Sequence, residues 1–158
     1  MTTRMFVLGI GNLLNSDEGV GVHAVRILQA ENNPPPGVEF LDGGTLGLDL
    51  LPLAVEVASH LLILDAVDAG QVPGSVVELP KDKIPLYSGV KMSQHQITFQ
   101  EVLGLALVRG HLPEYLHLIG IQPKSFAIGT TLSDVVASAL PEMIERTWVI
   151  LHRWQSGK

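Results

Sequence analysis

The stretch from Leu8 to Val22, LGIGNLLNSDEGVGV, joins three kinds of local structure in one short run. The apolar Met5-Phe6-Val7-Leu8 leads into it and reads as a buried strand. Gly9 and Gly11 carry no Cβ, so the backbone can turn sharply or approach a partner closely. Asp17 and Glu18 then stand before an apolar periodic segment, which predicts a helix from Glu18 to Gln29. In a parallel α/β sheet this order places the two acids above the carboxyl end of the first strand, where open sheets bind ligands. A dinucleotide fingerprint is disfavoured, because its third glycine is replaced by Leu14 and the acids would repel a pyrophosphate. The plainer reading is a tight turn, with Asp17 as helix N-cap and Glu18 in a solvated first turn.

The chain has 158 residues, 46% apolar and 16% charged, which suggests one compact domain spanning 1–158. Its net charge of -6, with no Lys/Arg run, argues against a nucleic-acid partner. There is no cysteine, which removes disulfides, thiolate metal sites and cysteine nucleophiles, and suits a cytoplasmic protein. No apolar run is long enough to span a membrane, and no signal peptide is evident.

Further along, Val20, Val22, Val25, Ile27 and Leu28 predict an apolar helix face. The prolines Pro34 to Pro36 must end that helix. Val38-Glu39-Phe40-Leu41 alternates as a second strand. Asp42-Gly43-Gly44-Thr45 follows, either an ordinary connection with Thr45 as cap or a partner-binding loop. A helix is expected from about Leu46 to Ala58. His60 to Ala66 is continuously apolar up to Asp65, as a central parallel strand requires. Asp68 reads as a turn residue. Ser75 to Leu79 is expected near a sheet edge, and Pro80 to Val90 as a loop. His95 stands at the entrance of a helix from about Ile97 to Val108. Leu116 to Ile121 is another strand, with His117 structural. A last helix, capped near Thr131 or Ser133, should run to about Trp154 with a kink or restart at Pro141. Its Leu140, Met143, Ile144, Ile150, Leu151 and Trp154 should face the sheet.

Strands alternating with helices imply a three-layer αβα sandwich with a mostly parallel central sheet of about five strands. Glu18, Asp65 and His95 then fall along one edge of that sheet. Two carboxylates and an imidazole suit a divalent metal that accepts nitrogen and oxygen ligands, such as nickel or zinc. They could equally orient a water as general base and acid. There is no G-x-S-x-G elbow and no H-E-x-x-H helix, so neither a serine hydrolase nor a zincin is supported.

These motifs, taken in order, resemble one family. G-I-G-N-x-L-x-x-D-E-G at Gly9 to Gly19, D-G-G-T at Asp42 to Thr45, the strand ending in Asp65-Ala66, S-x-H-Q at Ser93 to Gln96 and G-I-Q-P at Gly120 to Pro123 are similar to those of the hydrogenase maturation endopeptidases. The resemblance implies an endopeptidase of aspartic or metal-assisted type. It would remove a carboxyl-terminal extension from the large-subunit precursor of a nickel-iron hydrogenase after nickel insertion. It implies metal contacts from Glu18, Asp65 and His95, and substrate recognition by Asp42, Gly43, Gly44 and Thr45. Nickel would come from the substrate's own centre, with no organic cofactor. The partner would be the precursor, met by a monomer. Asp65 is the favoured general base, Glu18 and His95 sharing the catalytic site. Two other classes remain open on the residues: a non-proteolytic nickel-binding chaperone on the same fold, and a nucleotide-binding domain built on the Gly9–Gly11 turn.

Overall fold

The computed structural model describes residues 3–31, 34–43, 52, 54–84 and 99–157. Strand β1, Met5–Gly9, is buried along its whole length. A 3-10 turn, Ser16–Gly19, passes directly into helix α1, Val20–Ala30. Strands β2 (Val38–Asp42), β3 (His60–Ala66) and β4 (Val76–Pro80) follow, and then helix α2, Phe99–Val108. Strand β5, Tyr115–Ile121, and the long helix α3, Asp134–Gln155, complete the described elements.

The five strands lie in the order β2-β1-β3-β5-β4. All pairings are parallel except β4 on β5, which is antiparallel. The expected mostly parallel sheet is therefore present, with β4 at an edge as expected of that short strand. Alternate residues of β3 point to opposite faces, and each face has its own core. Leu62 and Leu64 pack with Val20, Val25 and Leu28 of α1 and with Met143, Ile150 and Leu151 of α3. Leu61 and Ile63 pack with Val55 and with Val102, Leu103 and Ala106 of α2. Helices thus cover both faces, as an αβα sandwich requires. Full burial of each such Leu, Ile or Val is worth about 1.5–3 kcal/mol.

Four local expectations need correction. The helix starts at Val20 rather than Glu18, because residues 16–19 are wound as a 3-10 turn. Asp17 is not a helix N-cap, since Asn15 caps the turn and Gly19 the helix; it lies inside the turn, fully buried, and bonds elsewhere. Ile27 is 39% exposed while Val20, Val22, Val25 and Leu28 are fully buried, so the apolar face is narrower than the sequence suggested. Pro141 lies inside α3, which runs from Asp134 to Gln155 without a restart. The exposed side of the helix tolerates the missing amide bond, and the buried Met143, Ile150, Leu151 and Trp154 hold the opposite side to the sheet. Most of the helix expected over 46–58 falls outside the described residues; 54–57 are helical.

Candidate functional site

Chain direction reverses across the sheet between β1 and β3. From β1 the chain goes outward to β2, then returns to β3 on the other side of β1. Side elements cannot fill the crevice above such a switch point, so it is where open α/β sheets bind ligands. The carboxyl ends of β1 and β3 stand there together: Gly9 pairs with Leu64, and the Ile10 amide donates to the Leu64 carbonyl at 2.9 Å.

Glu18 reaches this crevice through a tightly folded loop. Asn12 Oδ1 accepts from the Leu14 amide at 2.9 Å, and the Asn12 side-chain amide donates to Asn15 Oδ1 at 2.9 Å. Gly11 has φ +134°, and a Cβ there would lie 1.9 Å from the Glu18 carbonyl oxygen. A side chain at position 11 is thus barred by both conformation and space. Glu18 is half-buried, and that burial raises its pKa above the ordinary carboxylate value.

Asp65 closes β3 beside it, and its Oδ1 accepts the Ala66 amide at 2.8 Å. Its pKa is pushed up to about 8. Burial is the main cause; the Ala66 bond opposes it, and the charge of Glu18 pushes further upward. Glu18 thus adds to the cost of ionising Asp65, and a carboxyl held protonated beside a second one can give up its proton to the pair or welcome a cation. Either property suits activation of water or engagement of a divalent metal. Among the described residues no third His, Asp or Glu completes a metal-binding group with them. His95 lies outside the described residues, four positions before α2 begins.

Asp42 ends β2, and its carboxylate accepts from Arg26 Nε at 2.9 Å. Gly43 follows it against β1: a Cβ there would lie 2.6 Å from the Gly9 carbonyl oxygen. The first glycine of the D-G-G-T motif is therefore a packing requirement of the switch point itself. Gly44 and Thr45 lie outside the described residues.

Of two supporting residues, the sequence suggests a different role for Asp17 and none for Gln122. Asp17, fully buried, accepts from the backbone amides of Lys124 and Ser125 at 2.9 Å. It also accepts from the Ser133 amide at 2.7 Å and the Ser133 hydroxyl at 2.8 Å. Burial pushes its pKa up, but these bonds outweigh burial and hold it below the ordinary value. Asp17 thus anchors the 3-10 turn, and Glu18 with it, to the loop after β5. Gln122, the third residue of the G-I-Q-P motif, does the same for the chain leaving β3. Its Oε1 accepts from the Ala69 and Gln71 amides at 2.8 and 3.2 Å, and its Nε2 donates to Asp68 Oδ1 at 3.1 Å. Asp68 also accepts the Gly70 amide at 3.2 Å, the turn role expected of it. His117 is structural as anticipated, its Nε2 being 2.7 Å from Glu78 Oε1.

Fold and site together define a doubly wound α/β protein with a coupled carboxylate pair at its switch point. The model of the hydrogenase maturation protease family (HycI) matches residues 22–149. The hydrogenase expression/formation protein HupD of Rhodobacter capsulatus is 41% identical over 153 residues, 96% of this chain and 72% of that protein. The hydrogenase 2 maturation protease of Escherichia coli K12 is 34% identical over 149 residues, 94% of this chain and 90% of that protein. The solved structure of the hydrogenase maturating endopeptidase HybD from E. coli superposes with a TM-score of 0.84 at 34% identity, covering 98% of this chain and 94% of that one. The chain belongs to the hydrogenase maturation protease family.

Proposed function

We propose that this protein is the endopeptidase that cuts the carboxyl-terminal extension from a nickel-iron hydrogenase large-subunit precursor after nickel has been inserted. The observation that carries the reading is the coupled Glu18–Asp65 pair at the β1/β3 crevice of a maturation-protease fold. Nickel enters as part of the substrate. Glu18 and Asp65 are suited to meet it, with His95 as the third contact that the motif order implies. A nearby divalent charge favours the ionised form of a carboxyl that burial otherwise keeps protonated. Arrival of a nickel-loaded precursor would therefore convert Asp65 from acid to base. Asp65 would then take a proton from the attacking water as its oxygen bonds to the scissile carbonyl, and return that proton to the departing amine. Nickel-free precursor leaves Asp65 protonated and inactive, which makes insertion a checkpoint. Asp42, Gly43, Gly44 and Thr45 would contact the extension. The reading places enzyme and precursor in the cytoplasm, with the enzyme monomeric.

The test is incubation with cognate precursor, nickel-loaded or nickel-free, read by intact mass. Loss of a carboxyl-terminal peptide only from the loaded form is expected. Asp65→Asn should bind precursor but cut it at least about 100-fold more slowly. Equal cleavage of loaded and nickel-free precursor would remove the checkpoint. Full activity in Asp65→Asn would remove the base.

A further inference from the structure

Leu14, Phe126 and Ile128 are 63%, 45% and 93% exposed. Scattered exposed apolar side chains are ordinary, but these three are grouped by the backbone. The Ser16 amide donates to the Gly129 carbonyl at 2.9 Å, and the Gly129 amide to the Leu14 carbonyl at 2.9 Å. These bonds form an isolated parallel bridge between Asn15 and Gly129. The Asn15 side-chain amide donates to the Phe126 carbonyl at 3.2 Å, and the Ser16 hydroxyl to the Ala127 carbonyl at 2.6 Å. Ser16 is held at φ +50°, a left-handed conformation unusual for a residue with a Cβ. Asp17 locks the same two segments from beneath. The fold thus uses a strained residue and a buried carboxylate to fix a backbone whose apolar side chains face water.

We propose that Leu14, Phe126 and Ile128 form a rigid apolar lip on which the precursor docks, beside the residue that would meet its nickel. This rests on the proposed protease reading. The lip adjoins the site, since the 3-10 turn folds Glu18 back so that its amide donates to the carbonyl of Asn15, next to Leu14, at 3.1 Å. Side chains that stand out into solvent suit a protein surface rather than a small ligand, which needs a concavity. A net charge of -6 disfavours an anionic membrane as occupant. A second copy docked on the lip would cover the crevice that the substrate must enter. The occupant is therefore an apolar segment of the precursor flanking the scissile bond. Fixing the lip beforehand lowers the entropy cost of that encounter.

Ile128→Asp and Leu14→Asp test this, each measured against cognate nickel-loaded precursor, with melting temperature as the check of folding. Each should raise KM about 10-fold, the effect of losing one apolar anchor, and leave kcat within about 2-fold. Unchanged KM in both variants, with wild-type cleavage intact, overturns the lip and leaves the protease reading standing. A fall in kcat at constant KM also overturns it, since the residues would then act on chemistry. So does a wild-type dimer in sedimentation that Ile128→Asp abolishes while KM stays constant. If the wild type binds precursor without cutting it and Ile128→Asp weakens that binding about 10-fold, the lip holds and the protease reading falls. Wild-type enzyme that neither binds nor cuts ends both.

Discussion

Asp17 is a fully buried carboxyl and Asp65 a partly buried one, and their surroundings drive them in opposite directions. Asp17 accepts from three amides and a hydroxyl, so its ionised form is favoured and its pKa lies below 3.8. A group depressed in the folded state contributes stability above its unfolded pKa and loses it as pH falls through the folded value. Its contribution therefore persists at neutral pH and disappears only below about pH 4. Asp17→Ala leaves four part-buried donors without that acceptor and should cost about 1–3 kcal/mol, read from urea unfolding at constant slope. Asp65 is the reverse case, raised from 3.8 to about 8. The folded protein holds that proton where the unfolded chain has released it, so stability falls as pH rises from about 4 to about 8. Asp65→Asn should match wild type near pH 4 and exceed it by about 1 kcal/mol or more at pH 8, while losing cleavage. Equal stability at both pH values would mean that Asp65 is not held protonated by the fold.

At the scale of elements, α3 shows how packing overrides a local rule. Pro141 is exposed, lacks the amide that an interior helical position donates, and still lies within an unbroken helix of 22 residues. The side facing the sheet carries Met143, Ile150 and Leu151, each at most 2% exposed, and Trp154 at 8%. Their burial outweighs the proline cost of about 3 kcal/mol. Pro141→Ala restores an amide bond at a solvent-facing position. It should add about 1–3 kcal/mol and raise the melting temperature by several degrees, with cleavage unchanged. A lower melting temperature would show that the proline geometry is required. The glycine turn before Glu18 is the opposite kind of element: its dihedral demand at Gly11 is local, and so was legible as a G-x-G motif.

Across the whole molecule, β3 carries both the stability and the chemistry. It lies at the centre of the sheet with a parallel neighbour on each side. Leu61, Leu62, Ile63 and Leu64 are fully buried, two toward each helical layer, and Asp65 follows them into the crevice. Leu62→Ala should cost about 2–5 kcal/mol, with little room to relax between strands and helices, and lower the urea midpoint accordingly. A cost under 1 kcal/mol would mean that α1 and α3 can settle into the cavity.

Strands, helices and their order were readable from the chain because each depends on residues close in sequence. Apolar runs, a period near 3.6, and glycine or proline punctuation decide them locally. From that order the parallel sheet follows, and with it the expectation that Glu18 and Asp65 converge. The sequence also carried the family's motifs, though not the reason for each. Only tertiary structure showed that Gly43 is required by the Gly9 carbonyl and that Gln122 clamps the chain after β3. Only tertiary structure turned Asp17 from a helix cap into an anchor, because its partners lie 107 to 116 residues away. The pKa of Asp65 is likewise a property of the fold: burial and a neighbouring charge 47 positions earlier in the chain create it. Local pattern selects the elements; desolvation and long-range hydrogen bonds, which exist only once those elements are packed, select what the acids can do.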